Sequence, residues 1–529
     1  MLSNPESLPT ADSFGFPILS LLILLPLAWA LLLPFLPEGR AVRVVALAGA
    51  VLELILALAM LASLNLDSAG MQFVERASWI PSLNVQYLLG IDGIAALFPP
   101  LTALLFCGVI LASWTSIQFM PRLYFALLLA LESFTIGVFC ALDLVLFFLF
   151  WELTLVPIYF LISLWGIGPE RRFAAVKYTL FMLAGGIPLL FAIVLLGLGH
   201  ASAVGVPAPD GLTFDYLVLL EHPLPASAQA PIFLLLFFGF AVKAPLFPFH
   251  TWLPTVLREG PTGLSALLVG LKLGAFGILR FALPLAPEAA HDYGWLLMTL
   301  GGFGALYGAL AALQQANLRK MLAFSSVSHV GLVIVGIGTL NLQGIQGAVF
   351  QLANFTVIAG GLFLIAGFLH HRLGSTDLAS LGGLSRPLPR LTGFVLLLGM
   401  ASIGLPGTSG FAAELLILIG AWQTHPVLAL VAVSSAVLGA AYFLGFFQRA
   451  FLGPVTNPAV AAAMDLRPRE ALIAGVMALL VLAGGLFPNG VQGITASAAN
   501  AWVARLAMDR TAPVALARVE IQGSGAPTP

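Results

Sequence analysis

Five ionisable side chains inside apolar stretches of this sequence stand out by their settings: Glu152, Lys243, Lys272, His329 and Glu414. In order they run acid, base, base, base, acid. Charged groups at membrane depth are costly, so they face a cavity or a partner rather than lipid. The chemistry such a row supports is proton transfer. No metal-ligand spacing, P-loop or dinucleotide fingerprint accompanies it, which assigns redox chemistry and ATP hydrolysis, where involved, to other chains.

Each residue has its own setting. Lys243 lies in FGFAVKAPLFPFHTWLP, residues 238–254, where Pro245 and Pro248 interrupt a helix just before His250. Prolines free backbone carbonyls, which is tolerable only beside protein or water. Glu152 is the only charge between Leu144 and Ile167. A carboxylate there calls for a cation, and Lys243 is the natural partner; the structural alternative is an ion pair that merely locks two helices. Lys272 falls mid-span in LLVGLKLGAFG, too far from a helix end for easy snorkelling. His329 follows Ser325 and Ser326 at helical spacing, so one face offers an imidazole and two hydroxyls for a water relay, the alternative being a satisfied core histidine. Glu414 follows a second Gly/Pro/Ser break at Pro406, Gly407, Ser409 and Gly410. Lys177 reads as an anchor at the start of its span or a supporting residue, and Asp143 as interfacial.

The elements that must position these groups are membrane helices. The chain has 529 residues, of which 60% are hydrophobic and 9% charged. A soluble core cannot absorb so much apolar surface, and hydropathy predicts about fourteen spans. The expected class is therefore an all-α polytopic membrane protein with two discontinuous helices. Longer connections are expected at residues 65–90 and 200–229, and a polar, loose tail after residue 510. A net charge of −1 gives no reason to expect nucleic acid. Cys107 and Cys140 lie in apolar segments and read as buried thiols. The first fifteen residues lack the basic region of a signal peptide, so the first apolar run is expected to stay as a helix.

Fourteen basic residues fall in connections on one side, among them Arg40, Arg122, Arg171, Arg258, Arg319 and Arg449, against Arg76, Arg280, Arg505, Arg510 and Arg518 on the other. That asymmetry places both termini outside the cytoplasm. Ala184-Gly185-Gly186 returns as Ala359-Gly360-Gly361, Lys243 is echoed by Glu414, and Glu152 by His329, at offsets of 175, 171 and 177 residues. Near-constant offsets suggest two copies of a five-helix unit, and an odd number of spans inverts the second. The predicted organisation is an N-terminal three-helix segment (1–120), a first five-helix repeat (121–290), a second, inverted repeat (291–450), and a C-terminal helix with a loose tail (451–529).

The segments WELTLVPIYFLISLWG, FAVKAPLFPFHTWLP, AFSSVSHVGLV and GLPGTSGFAAELLIL resemble the antiporter-like subunits of respiratory complex I, most of all the M type and its counterpart in cyanobacterial and chloroplast complexes. The resemblance runs along essentially the whole chain. It implies fourteen helices in two inverted repeats, with Glu152 and Lys243 as the coupling pair, Lys272 as the central lysine, His329 as the connecting histidine and Glu414 as the terminal glutamate. It further implies neighbouring membrane-arm subunits and a lipid bilayer as partners, in a bacterial inner membrane or a thylakoid. NAD(P)H or ferredoxin, FMN, iron–sulfur clusters and quinone would belong to partner subunits, with no cofactor in this chain. Three departures stand out. Only Glu259 matches the motif usually following residue 254, the run from Pro261 to Lys272 is about one residue short, and Phe355 stands where many members carry histidine. The expected function is proton translocation driven by a quinone oxidoreductase. The alternatives are a subunit of a multisubunit Na⁺/H⁺ antiporter, a variant complex coupled to CO2 uptake, and a scaffold with a vestigial polar axis.

Overall fold

The computed structural model describes residues 15–508, so the tail expected to be loose lies outside the described residues. Among them twelve helices are long and apolar enough to cross a membrane, and two shorter apolar helices, Phe98–Ser113 and Pro389–Ser402, accompany them. The spans Thr262–Leu285, Leu318–Gly338 and Leu342–Leu373 are 89%, 89% and 94% buried, whereas Arg40–Ala62 and Pro426–Phe451 are 33% buried. The first three therefore form the centre of the bundle, and they carry Lys272, His329 and Phe355.

Local chemistry sets the helix limits. Asp143 accepts from the Val145 and Leu146 amides, Asn317 from Lys320 and Asn341 from Gly344. Each cap satisfies a donor that has no intrahelical partner, a contribution of about 1 kcal/mol. Asp143 is thus a fully buried cap at the start of its span. The 34-residue helix Arg171–Val204 ends where Gly205 adopts a left-handed φ of 70°.

The fold departs from the all-α expectation in the 65–90 connection, which forms an antiparallel hairpin, Gln72–Ile80 with Val85–Ile91. Glu75 of this hairpin accepts from the Leu19 and Ser20 amides at 2.7 and 2.9 Å and so caps the first helix from a distance. Arg76 reaches Asp215 at 2.7 Å, tying the hairpin to the 200–229 connection. Arg280, taken from the sequence as a loop charge, is 3% exposed and bonds both oxygens of Asp92 at 2.5 and 2.8 Å. After the short helix Pro458–Ala461, the C-terminal region holds two longer described helices, Pro468–Leu486 and Pro488–Met508, where one was expected. Trp502 and Leu506 of the second are buried in the core.

The expected breaks occur between Ala226–Lys243 and Trp252–Glu259, and between Pro389–Ser402 and Ser409–Thr424. A third was not expected. The helix Thr262–Gly270 stops at Leu271 and Lys272, restarts at Leu273, and passes into a π-helical turn at Ile278–Ala282. A second π turn spans Phe355–Ala359. Such wide turns leave backbone groups free and often mark functional positions in helices.

Candidate proton-transfer axis

Glu152 is the penultimate residue of the helix Leu144–Leu153. Pro157 has no amide proton to continue the ladder one turn on. Lys243 is the last residue of its own helix and reaches this terminus. Its ammonium donates to the Trp151 carbonyl at 2.8 Å and to Thr154 Oγ1 at 2.9 Å, and stands 4.0 Å from the Trp151 ring centroid. A cation is favoured there because helix C-terminal carbonyls carry partial negative charge. The expected Glu152–Lys243 contact pair is not formed. The two groups interact through space only, and Glu152 Oε1 is buried without a hydrogen-bond partner. Gly186 supplies the space beside the Glu152 carboxylate, since a Cβ there would lie 3.2 Å from Glu152 Cδ.

Lys272 sits in the unexpected break, 5% exposed. Its ammonium donates to Ser326 Oγ at 2.7 Å and lies 5.0 Å from the centroid of the Phe355 ring. The break takes Lys272 out of helical geometry, and the hydroxyl and the ring hold its charge.

His329 lies one turn beyond Ser325. Its Nδ1 is 2.8 Å from the Ser325 carbonyl and its Nε2 is 2.7 Å from the Ser402 carbonyl at the second break. Both are acceptors, so the ring is fully satisfied only with a proton on each nitrogen. The Glu414 carboxylate stands 3.7 Å from Nε2. Ser325 Oγ also shares a 2.6 Å hydrogen bond with the Tyr442 hydroxyl.

Small spaces lie beside Lys243, His329 and Glu414. One of about 30 Å³ touches Thr154, Lys243, Leu271 and Leu273. A second, about 20 Å³, touches Ser325, Ser326, His329, Asn354, Phe355 and Ser402. A third, about 10 Å³, touches His329, Ser402, Glu414 and Tyr442. Each is close to the size needed for a single water, and each has polar groups in its wall.

The supporting residues divide. Ser325 and Ser326 join the axis. Lys177 does not: it donates to the Thr251 carbonyl at 2.9 Å and Thr255 Oγ1 at 3.0 Å, pinning the long helix to the segment after the first break. His250 is buried nearby among Phe247, Tyr307 and Phe324, with Nδ1 unpartnered. Thr154, Ser402 and Tyr442 were missed in the sequence. Thr154 and Tyr442 carried a faint signal, being polar in otherwise apolar spans; Ser402 contributes only a carbonyl and carried none.

Residues 141–439 match the family described as NADH:quinone oxidoreductase/Mrp antiporter, TM. The chain is 36% identical over 488 residues to NADH-quinone oxidoreductase subunit M of Rickettsia typhi, covering 90% of this chain and 97% of that protein. Its fold superposes on a chain of respiratory complex I from Thermus thermophilus with a TM-score of 0.83 at 34% identity, covering 92% of this chain and 99% of that one. It is also similar to a chain of the Mrp complex from Dietzia sp., with a TM-score of 0.78 at 26% identity, over 92% of this chain and 52% of the other. With more than half its length matched and close relatives along nearly all of it, this chain belongs to the NADH:quinone oxidoreductase/Mrp antiporter transmembrane family.

Proposed function

We propose that this chain is a proton-translocating membrane subunit of an NAD(P)H or ferredoxin:quinone oxidoreductase, built as fourteen helices with two inverted five-helix repeats (121–290 and 291–450). Both termini lie outside the cytoplasm in this reading. Electron transfer takes place in partner subunits that hold the flavin, iron–sulfur clusters and quinone. This chain contributes the axis Glu152, Lys243, Lys272, His329, Glu414.

One observation carries the mechanism. Lys243 stands on the Trp151 carbonyl and Thr154 hydroxyl, off the Glu152 carboxylate it would otherwise pair with. A two-position lysine can be switched. When Glu152 draws the ammonium in, the charge is stabilised; when the pair separates, Lys243 releases its proton towards the water-sized space walled by Leu271 and Leu273, the neighbours of Lys272. Lys272 passes it through Ser326 to the space beside His329, and Glu414 takes it from His329 for release to the outside. Phe355 fills part of the middle space, so the route bends around its ring through Ser325 and Ser326.

Lys243→Met in the assembled complex tests this. Electron transfer uncoupled from pumping, or strongly slowed, is expected in proteoliposomes; full pumping would end the proposal. The similarity to the Mrp chain supports one second reading, cation exchange. Under that reading transport would depend on Na⁺ and proceed without any electron donor.

A further inference from the structure

Among the described residues, two more carboxylates are buried with no hydrogen-bond or ion-pair partner, away from the axis and before residue 141, where the family match begins. Glu53 is midway along the helix Arg40–Ala62 and Glu132 midway along Pro121–Cys140. Both are 0% exposed. All four of their carboxyl oxygens are buried without a hydrogen-bond partner. These two helices pack on each other and on Phe98–Ser113, which carries Cys107. Glu53, Cys107 and Glu132 lie within electrostatic reach of one another.

An ionised carboxylate in such a place, with neither cation nor donor, is prohibitively costly, and a second charge within electrostatic reach raises the cost further. Among the described residues neither carboxylate has an ion-pair partner. Arg43 and Arg122 belong to the ends of the same helices, where Arg43 donates to the Ile117 carbonyl at 3.0 Å and Arg122 approaches Glu38 at 3.9 Å. Tyr124 is engaged with Ser113, and Tyr87 and Glu75 with Ser20. Cys140 is a buried free thiol in the apolar core. A hard metal cation gathers six or more oxygens, and the surrounding core supplies alanine, leucine and phenylalanine instead.

We propose that Glu53 and Glu132 form a second intramembrane proton-binding site, a pair of neighbouring carboxyl groups in the N-terminal helices whose ligand is H⁺. It stands apart from the axis and does not depend on the reading given to that axis. Because the first ionisation opposes the second, the pair releases its protons in two separated steps.

Infrared spectroscopy of the full-length protein in lipid nanodiscs, titrated with pH, reads this directly. A protonated carboxyl in an apolar setting gives a carbonyl band clear of the amide absorption. The wild type is expected to show that band at neutral pH and to lose it in two steps on alkalinisation. Glu53→Gln and Glu132→Gln each mimic one neutral partner, so each should keep only the first step; the double variant should lose both. Glu132→Asp, which keeps the carboxyl, should restore two steps and guards against a folding defect. A band absent at neutral pH, or unchanged in both glutamine variants, would overturn the proposal. So would a band abolished by added Na⁺, which would make the site a cation site.

Discussion

Replacing Thr154 with valine tests whether Lys243 has two positions. Its ammonium now has three neighbours, the Trp151 carbonyl at 2.8 Å, Thr154 Oγ1 at 2.9 Å and the Trp151 ring at 4.0 Å. Valine keeps the shape of threonine and removes the hydroxyl. A hydrogen bond to a charged group contributes about 1.5–3 kcal/mol net. At ~1.4 kcal/mol per factor of ten, its loss shifts the lysine towards Glu152 by roughly ten- to a hundredfold. The lower end is the better expectation. Thr154 Oγ1 also donates to the Trp151 carbonyl at 2.8 Å, and in the variant that oxygen is left wholly to the ammonium. A structure of Thr154→Val is expected to show Lys243 against the Glu152 carboxylate, and the proton-to-electron ratio of the assembled complex should fall. Lys243 still on the Trp151 carbonyl, with normal pumping, would refute the two-position account.

Two further predictions concern packing. Asp92→Ala leaves the Arg280 guanidinium buried without its partner and should cost about 3–5 kcal/mol, measured by thermal unfolding in lipid; a loss below about 1 kcal/mol would contradict the pair's role. Gly186→Ala and Gly239→Ala should behave oppositely. At Gly186 the new methyl meets the movable end of Glu152, so the protein stays folded while pumping falls. At Gly239 it meets the Gly185 carbonyl and Leu189 Cβ, both at 2.8 Å, and overpacking should cost about 1–3 kcal/mol. Equal stability losses in the two variants would show that Glu152 is not free to move.

Much of this arrangement was legible because the membrane makes polar residues conspicuous. Glu152, Lys243, Lys272, His329 and Glu414 could be picked out as isolated charges or breaks in apolar runs, and the Pro and Gly/Pro clusters marked two broken helices. The break at Lys272 was not seen, because Gly270-Leu271-Lys272-Leu273 contains no proline and reads as helix; a one-residue shortfall in the preceding run was the only hint. The hairpin at 72–91 carries little signal beyond that of a connection, since its strands alternate only partly. Glu53 and Glu132 were equally visible as single mid-span carboxylates, yet nothing local relates helices 79 residues apart in sequence. Partners contributed by backbone carbonyls, such as those of Trp151 and Ser402, carry no side-chain signature at all.

The helix Arg171–Val204 sets a length scale of its own. Its 34 residues, at ~1.5 Å each, extend ~51 Å, against ~30 Å of hydrocarbon. A tilt of about 20° shortens its reach only to ~48 Å. Arg171 and Arg172 anchor one end at an interface, so the surplus of roughly 18 Å emerges at the opposite one. There the segment 206–224 folds back along it, with His200 Nδ1 3.2 Å from the Gly211 carbonyl. The helix is thus a mast as well as a span. It carries the protein's aqueous boundary on that side several helical turns beyond the lipid, at a height set by a helix rather than by a loop.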